Sequence, residues 1–409
     1  MATHHDRTTT ERGSAWRAWG RALAGGAVMA GALGTGNALG AALVQRFGID
    51  GFPRQLLPAA LVSALAVPVV LVLRAGRRAR RPALGLGPRS AAAYGLLRGF
   101  GVTMAGAALV LGAGTELGWV RWSGPRPADL LAFLVGNAVV ALLLEALPEE
   151  TTLRGHAWTS LRERFGGAVS ALGTTAVFLL VPAASTVVQA GVARAAGVAA
   201  PPMGPVPAGQ DPVAYLVLLT VFGLTLIAAR TAPGRAPLWA AIGTHLAFLT
   251  VNRVVFQGDR RDAGWSAEVA PVHAAVLELG YLAATAAVFT GARLLASRRA
   301  QRVAEARLAP EARLAPEARL APEARPAPAP AAARRPRPHP AGRRLTQPSG
   351  ATTCTVGGWA GGGALSAPAV RAWARGPAGR PHGPVRGGGP VPERPGRPER
   401  PSGPEQPRR

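Results

Sequence analysis

Lysine is absent from this 409-residue chain, and cysteine occurs only once, at Cys354. The 46 basic residues are therefore all arginines, and with 21 acidic residues they give a formal net charge of +25. A single cysteine excludes an intramolecular disulfide and a cysteine-rich metal site. Charged residues make up only 16% of the chain. This scarcity leaves long apolar stretches, which are not typical of soluble domains.

The apolar residues occur in blocks that charged residues barely interrupt. A hydrocarbon core about 30 Å thick needs roughly 20 apolar residues to be crossed by a helix, and several blocks reach that length. The fold is therefore predicted to be all-α, a polytopic membrane helix bundle of about eight spans with a disordered C-terminal tail. The expected spans are residues 18–45, 56–74, 93–119, 128–147, 167–197, 212–229, 237–256 and 271–296.

Composition divides the chain into three regions. Residues 1–15 are a polar segment without the features of a cleaved signal peptide, so the first apolar block is expected to remain as a span. Residues 16–297 form the multi-span domain, in which the block around Pro182 is either one kinked helix or a helix followed by a re-entrant piece. Residues 298–409 carry Glu-Ala-Arg-Leu-Ala-Pro repeats and then Pro, Gly and Arg, which predict disorder. A solvated tail without specific function and a polybasic anchor for anionic lipid are both open interpretations.

The arginines cluster in alternate loops. They precede the first span and follow the second, fourth, sixth and eighth spans, whereas the other loops balance arginine with aspartate. The positive-inside rule therefore predicts a multi-pass protein of the cell membrane with both termini in the cytoplasm. Membrane lipids are expected partners, and nucleic acid is not, because membrane topology already explains the basic charge.

Polar residues stand where the fourth predicted span ends. Glu145, Glu149 and Glu150 lie within six residues, and Arg154 follows Glu150 at the i,i+4 spacing of a helical ion pair. One carboxylate can pair with the arginine while its neighbour acts as a general base. Alternatively, the acids simply end the span and meet water. The first interpretation predicts a site near the cytoplasmic face.

A second polar group lies inside the seventh predicted span. His245 follows Thr244 in an otherwise apolar run, with Asn252 two turns further along the same face. Glu278 lies near the middle of the eighth span. An ionisable residue inside a membrane marks a functional site by default, although a lone histidine can also just donate to a nearby carbonyl.

These residues resemble the CPBP family of intramembrane proteases, which includes CAAX prenyl endopeptidases and bacteriocin-processing and immunity relatives. The first family motif, Glu-Glu-x-x-x-Arg, is present as Glu149-Glu150-Thr-Thr-Leu-Arg154. The closing motif, an Arg-Thr-Gly-like turn and then Gly-x-His, is present as Arg230-Thr-Ala-Pro-Gly and Gly-Thr-His245. The motifs lie within residues 140–256, in the family's order.

The sequence departs from the family pattern at two positions. The middle motif, Phe-x-x-x-His, is present as Phe178-Leu-Leu-Val-Pro182, so proline replaces the histidine. The closing motif has an asparagine four residues after its histidine, where this chain has Leu249. Either departure weakens a catalytic site of the family type.

The resemblance implies an intramembrane endopeptidase that hydrolyses membrane-proximal peptides or proteins through a glutamate-activated water. Glu149 would be the base, Glu150 and Arg154 the orienting pair, and His245 an assisting group that also could stabilise the oxyanion. In the metal alternative, Glu149, Glu150 and His245 hold a zinc-like divalent ion, with Glu145 or His156 as further candidate ligands. A catalytically degenerate relative that binds or scaffolds membrane partners is the rival hypothesis. A transporter is a weaker one, because no inverted repeat is evident.

Overall fold

A computed structural model describes residues 3–75, 84–204, 206 and 210–320, with side chains from residue 15 to residue 306 within these ranges. The predicted tail beyond residue 320 and the arginines at 77, 78, 80 and 81 lie outside the described residues. The helices are α1 (Thr3–Phe47), α2 (Phe52–Ala75), α3 (Arg89–Glu116), α4 (Pro127–Ala141), α5 (Leu147–Glu149), α6 (Trp158–Arg162), α7 (Gly167–Ala195), α8 (Pro212–Thr231), α9 (Pro237–Val251), α10 (Gly258–Arg261) and α11 (Pro271–Leu320). Three π-helical segments join them, π1 (Leu142–Ala146), π2 (Glu150–Ala157) and π3 (Asn252–Phe256), and two short strands are β1 (Val120–Trp122) and β2 (Ala267–Val269).

Eight helices in the described part of the chain are long and apolar enough to cross a bilayer. This confirms the predicted polytopic helical bundle, and the chain is a multi-pass membrane protein. The eight helical stretches are Ala15–Phe47, Phe52–Ala75, Arg89–Glu116, Pro127–Arg162, Gly167–Ala195, Pro212–Thr231, Pro237–Phe256 and Pro271–Ala306.

The fourth stretch is longer than predicted. The sequence predicts its end at residue 147, whereas the helix continues through π1, α5, π2 and α6 to Arg162. The acidic motif therefore lies inside a buried helix and does not meet water at a helix end, because Glu150 has no exposed surface and Glu149 is 9% exposed. The interpretation of the acids as a solvated span end is wrong.

The block around Pro182 is a single helix, α7, and has no re-entrant piece. Proline cannot donate a backbone hydrogen bond, and its ring disturbs the preceding turn. Nearby hydroxyls bond to carbonyls around this position: Ser185 donates to the Pro182 carbonyl at 2.8 Å and Thr186 to the Ala183 carbonyl at 2.9 Å. These bonds satisfy the two hydroxyls within α7.

At each end of the bundle, backbone hydrogen bonds join two connecting segments. On the face away from the termini, β1 pairs antiparallel with β2, so that Val120 lies opposite Val269. On the face of the termini, the Leu238 amide donates to the Gly85 carbonyl at 3.1 Å. We call these the hairpin face (loops 48–51, 117–126, 196–211 and 257–270) and the terminal face (loops 84–88, 163–166 and 232–236).

The last helix also extends beyond its predicted end. The sequence predicts disorder from residue 298, but α11 continues to Leu320. The residues between the prolines of the repeat are Glu, Ala, Arg and Leu, all of which favour helix, and they adjoin a span that already supplies a helical nucleus. The predicted domain boundary at residue 298 thus falls inside a helix.

Helices α3 and α9 pack with their backbones in close approach through glycines. A methyl group at Gly99 would lie 2.0 Å from the Ala240 carbonyl oxygen, and one at Gly243 would lie 2.0 Å from the Leu96 carbonyl oxygen. Small residues permit this approach between membrane helices. Because α9 carries His245, this packing also sets the position of the histidine.

Gly99→Ala is expected to destabilise the bundle, because the added methyl group must push α9 away from α3. Overpacking of this kind costs about 1–3 kcal/mol or more, so the melting temperature of the detergent-solubilised protein should fall. Gly101→Ala, on the same helix with open space around it, is the matched control and should be neutral or stabilising. Equal melting temperatures for the two variants would contradict the close approach.

Candidate active site

The acidic motif lies in a helix that is widened on both sides of Pro148. The Leu147 amide donates to the carbonyl of Leu142, five residues earlier, which is the π-helical pattern. Pro148 explains the change, since its ring clashes with the carbonyl four residues before it and its nitrogen has no hydrogen to donate. Short π-helical segments of this kind are frequent at functional sites.

Threonine hydroxyls bond to the carbonyls around the proline. Thr151 Oγ1 donates to the carbonyls of Leu147 and Pro148, at 2.8 and 3.0 Å. Thr152 Oγ1 donates to the carbonyls of Pro148 and Glu149, at 2.8 and 3.1 Å. The two threonine hydroxyls are thus satisfied within the irregular helix, as buried polar groups in a membrane require.

Glu150 joins the two motifs that the sequence separates by 95 residues. Its Oε1 lies 3.0 Å from His245 Nδ1 on α9 and 3.3 Å from Arg154 Nη1 on π2. Glu150 and Arg154 have no exposed surface and His245 is 2% exposed. An ionised carboxylate accepts but cannot donate, so the hydrogen in this contact lies on Nδ1. In a neutral ring with this tautomer, Nε2 is the nitrogen that accepts a hydrogen bond.

Several polar atoms of Glu150 and Arg154 lack hydrogen-bond partners, which is unusual for buried residues whose only role is to stabilise the fold. Within the described part of the chain, Glu150 Oε2 and Arg154 Nε and Nη2 have no hydrogen-bond partner. The Arg154 guanidinium instead stacks on the Phe178 ring, with 4.5 Å from Cζ to the ring centre. A buried ion pair gains little net stability even when it is fully bonded. The arrangement therefore favours a functional role over a stabilising one.

Glu149 and His245 line the same cavity, which has a volume of about 480 Å³. Pro182 and Leu249 line it as well, and they are the two residues that depart from the family pattern. The structure thus brings Glu149, Glu150, Arg154 and His245 together. It also places both departures beside them.

The cavity opens toward the hairpin face. Its lining includes Gly204, Val206 and Gln210 of the loop between α7 and α8, and Gln257 and Arg261 beyond π3. The sequence interpretation placed the site near the cytoplasmic face because the fourth span was expected to end at the acids. The helix instead continues past the acids to Arg162 on the terminal face, and the cavity lining extends toward the hairpin face.

A second ion pair lies in the cavity wall, and sequence reasoning missed it. Arg253 bonds to Glu145 Oε1 and, at 3.0 Å, to Asn137 Oδ1. Arg253 is 9% exposed and stands inside the seventh predicted span. An ionisable residue inside a membrane span marks a candidate functional site, and this rule applies to Arg253 as it does to His245. The position of Arg253 in the span could therefore have identified it from the sequence. Glu145 is therefore committed to a partner of its own.

The other polar candidates also pair with each other. Asn252 Nδ2 donates to Glu278 Oε1 at 2.8 Å, and Gln257 Nε2 donates to Asn252 Oδ1 at 2.5 Å. Asn252 and Gln257 line the cavity, while Glu278 supports Asn252 from α11. This pairing gives Glu278 a polar partner inside its span.

A zinc-like ion at a catalytic site needs about three converging protein ligands. Among the described residues no three His, Cys, Asp or Glu side chains converge in a way that could hold a metal ion. Glu150 is engaged by Arg154 and His245, and Glu145 by Arg253. His156 lies away from the cavity, with its ring packed near Gly25 of α1. The side chains at the described site therefore do not fit a zinc-like ion.

Comparison with known proteins identifies one family over part of the chain. Residues 131–251 match the model of the family described as type II CAAX prenyl endopeptidase Rce1-like. The matched stretch contains both motifs, from Glu149 to His245, and it confirms the resemblance to the CPBP family. No curated protein and no solved structure matches the chain.

Arg154→Met should lower the stability of the protein strongly, because it leaves the Glu150 carboxylate charged, buried and without its cation. Breaking a buried pair in this way costs about 3–5 kcal/mol. Glu150→Gln combined with Arg154→Met removes both charges and should recover most of the loss. Thermal unfolding of the two variants in detergent measures the difference. A double variant as unstable as Arg154→Met alone would contradict the pairing.

Proposed function

We propose that the protein is an intramembrane endopeptidase that hydrolyses peptide bonds of membrane-proximal substrates through a glutamate-activated water. The observation that carries this proposal is the 3.0 Å contact between His245 Nδ1 and Glu150 Oε1 at a cavity that Glu149 also lines. Two residues so distant in sequence, each costly to bury in a membrane, meet beside a second acid, Glu149. The family match over residues 131–251 points to the same class of activity.

In this proposal Glu149 is the general base. It is the acid of the Glu-Glu pair that lines the cavity, whereas Glu150 is held by Arg154 and His245. The Glu149 carboxylate takes a proton from water, and the hydroxide attacks the carbonyl carbon of the scissile bond. Glu149 then returns the proton to the leaving amine as the carbon–nitrogen bond breaks, which leaves a carboxylic acid and a free amine.

His245 has a narrower role than the sequence allowed. With its proton on Nδ1, facing Glu150, the neutral ring presents a lone pair at Nε2. That nitrogen can accept a hydrogen bond from the attacking water and so orient it for Glu149. It cannot donate to an oxyanion unless the ring is also protonated. The geometry thus favours the assisting role of His245 over the oxyanion role.

The cavity suits a short, extended, largely apolar segment of polypeptide. Phe178, Phe222 and Phe248 line its wall, and the rings of Phe222 and Phe248 stack at 4.1 Å. Binding sites of small molecules and short segments have volumes of roughly 300–1,000 Å³ and apolar walls with a few polar groups. The 480 Å³ cavity, with its polar end at Glu149 and His245, has this composition.

The alternative function is a catalytically degenerate relative that binds or scaffolds membrane partners. Pro182 and Leu249 favour it, because both stand in the cavity wall where the family motifs have a histidine and an asparagine. Neither side chain can hold a water or an oxyanion. Binding of apolar segments would then be retained without cleavage.

We further propose that both termini lie in the cytoplasm, as the arginine distribution predicts. Reporter fusions placed after Ser14 and after Gln301 should both show cytoplasmic activity. An even number of spans requires the two ends to share a side. Reporters on opposite sides would contradict this topology.

Glu149→Gln should abolish cleavage of a membrane-proximal test peptide, since the amide keeps the shape of the side chain but cannot accept a proton. The loss of a general base is expected to lower kcat by about 10²–10⁴-fold. Glu268→Gln, at an exposed acid of β2, is the control and should retain activity. Full activity in purified Glu149→Gln would contradict the assignment of the base.

Pro182→His distinguishes the two functions. If the parent is inactive because of the lost histidine, this variant should gain cleavage that Glu149→Gln then removes. If the parent is already active, the new imidazole should raise activity. Folded Pro182→His protein without cleavage, made from an inactive parent, would favour the scaffold.

A further inference from the structure

The cavity has a closed end and an open end, and the two point to opposite sides of the membrane. At the closed end, toward the terminal face, Leu153, Leu238 and Ile242 have no exposed surface. Arg230 Nε donates to the Arg154 carbonyl at 3.3 Å, and Leu84 is packed under Gly155. These contacts seal the polar centre from the terminal face.

The open end leads to the hairpin face along α7. Ser185 of α7 lines the cavity and stands ten residues before the end of that helix at Ala195, about 15 Å by the rise of an α-helix. Further lining residues, Gln210 and Gln257, lie in the loops of the hairpin face. The lining is therefore continuous from His245 to the hairpin face.

The loops of the hairpin face have no excess of positive charge. Between residues 46–54, 116–129, 194–211 and 259–268 the chain carries seven arginines and seven acidic residues, so these loops are neutral. The sequence between the predicted second and third spans by contrast carries arginines at positions 74, 77, 78, 80, 81 and 89 without an acidic residue. The positive-inside rule places the neutral hairpin face on the non-cytoplasmic side.

We infer that the cavity admits polypeptide segments from the non-cytoplasmic side of the membrane. Its substrates are then stretches of exported or membrane-anchored proteins that reach the outer surface, and cytoplasmic chains are excluded by the seal beneath His245. The substrate class rests on the proposed function, whereas the side of entry rests only on the fold and the charge distribution.

Cysteine labelling can measure the side of entry directly, because the chain has only Cys354 to remove. In a Cys354→Ser background, Ser185→Cys reports the cavity interior and Gln210→Cys its mouth. Gly124→Cys is the control for the hairpin face and Gly166→Cys for the terminal face, since a side chain at either glycine meets open space. A charged, membrane-impermeant thiol reagent is applied to intact cells and to inside-out vesicles.

The expected result is that Ser185→Cys and Gln210→Cys react in intact cells together with Gly124→Cys, while Gly166→Cys reacts only in inside-out vesicles. Three results would overturn the inference. These are reaction of Ser185→Cys from the cytoplasmic side, reaction of Ser185→Cys with a membrane-permeant reagent alone, or reversal of the two controls. Size-exclusion elution of each variant confirms folding, and Thr186→Cys, which also lines the cavity on α7, serves if Ser185→Cys does not fold.

The labelling result is independent of catalysis. If labelling occurs from outside but no variant or parent cleaves a test peptide, the endopeptidase proposal fails and the side of entry stands. If cleavage depends on Glu149 but labelling occurs from the cytoplasm, the endopeptidase proposal stands and the inference fails.

Discussion

The buried contact between Glu150 and His245 is the interaction on which the rest of the structure depends. It requires a carboxylate in the middle of a membrane helix and a histidine on α9 to face each other at 3.0 Å. The first requirement is met by the π-helical segments around Pro148, which keep the motif inside a continuous helix. The second is met by the glycines that hold α9 against α3. Arg154 then balances the charge that the contact buries.

The cost of burying polar groups explains why the ionisable side chains occur as layered pairs. Glu150 with His245 and Arg154 forms the deepest layer, at the closed end of the cavity. Arg253 with Glu145, and Asn252 with Glu278, follow nearer the hairpin face. Each group is tolerated because it has a polar partner, which comes from another helix for every pair except Glu150 with Arg154. His245, Glu145, Arg253 and Asn252 of these layers line the cavity together with apolar side chains, a composition that suits a polypeptide segment.

Much of this arrangement was predictable from sequence. Hydropathy located all eight spans, because the length of an apolar block is a direct consequence of bilayer thickness. The high free-energy cost of burying an ionisable side chain in the membrane singled out Glu149, Glu150 and His245. Arg253 could have been found by that rule, whereas its partner Glu145 could not be named, because pairing across helices depends on their packing.

Other features of the structure could not be predicted from the hydrophobic periodicity of the sequence. The i,i+4 analysis assumes 3.6 residues per turn, so the π-helical segments and the continuation of the helix beyond residue 147 were not foreseen. The direction in which the cavity opens depends on which loops stand above it. The extension of α11 to Leu320 reflects helix propensity, to which composition alone gave too little weight.

The protonation state of His245 tests the central claim most directly. Nitrogen-15 NMR of histidine-labelled protein in detergent, with His245→Asn to assign the signal, distinguishes a protonated Nδ1 from a protonated Nε2. The account predicts a neutral ring with its proton on Nδ1 in the parent protein, and loss of that preference in Glu150→Gln. A proton on Nε2 in the parent protein would contradict it, because Glu150 would then not hold the ring and Nε2 could not accept a hydrogen bond from water.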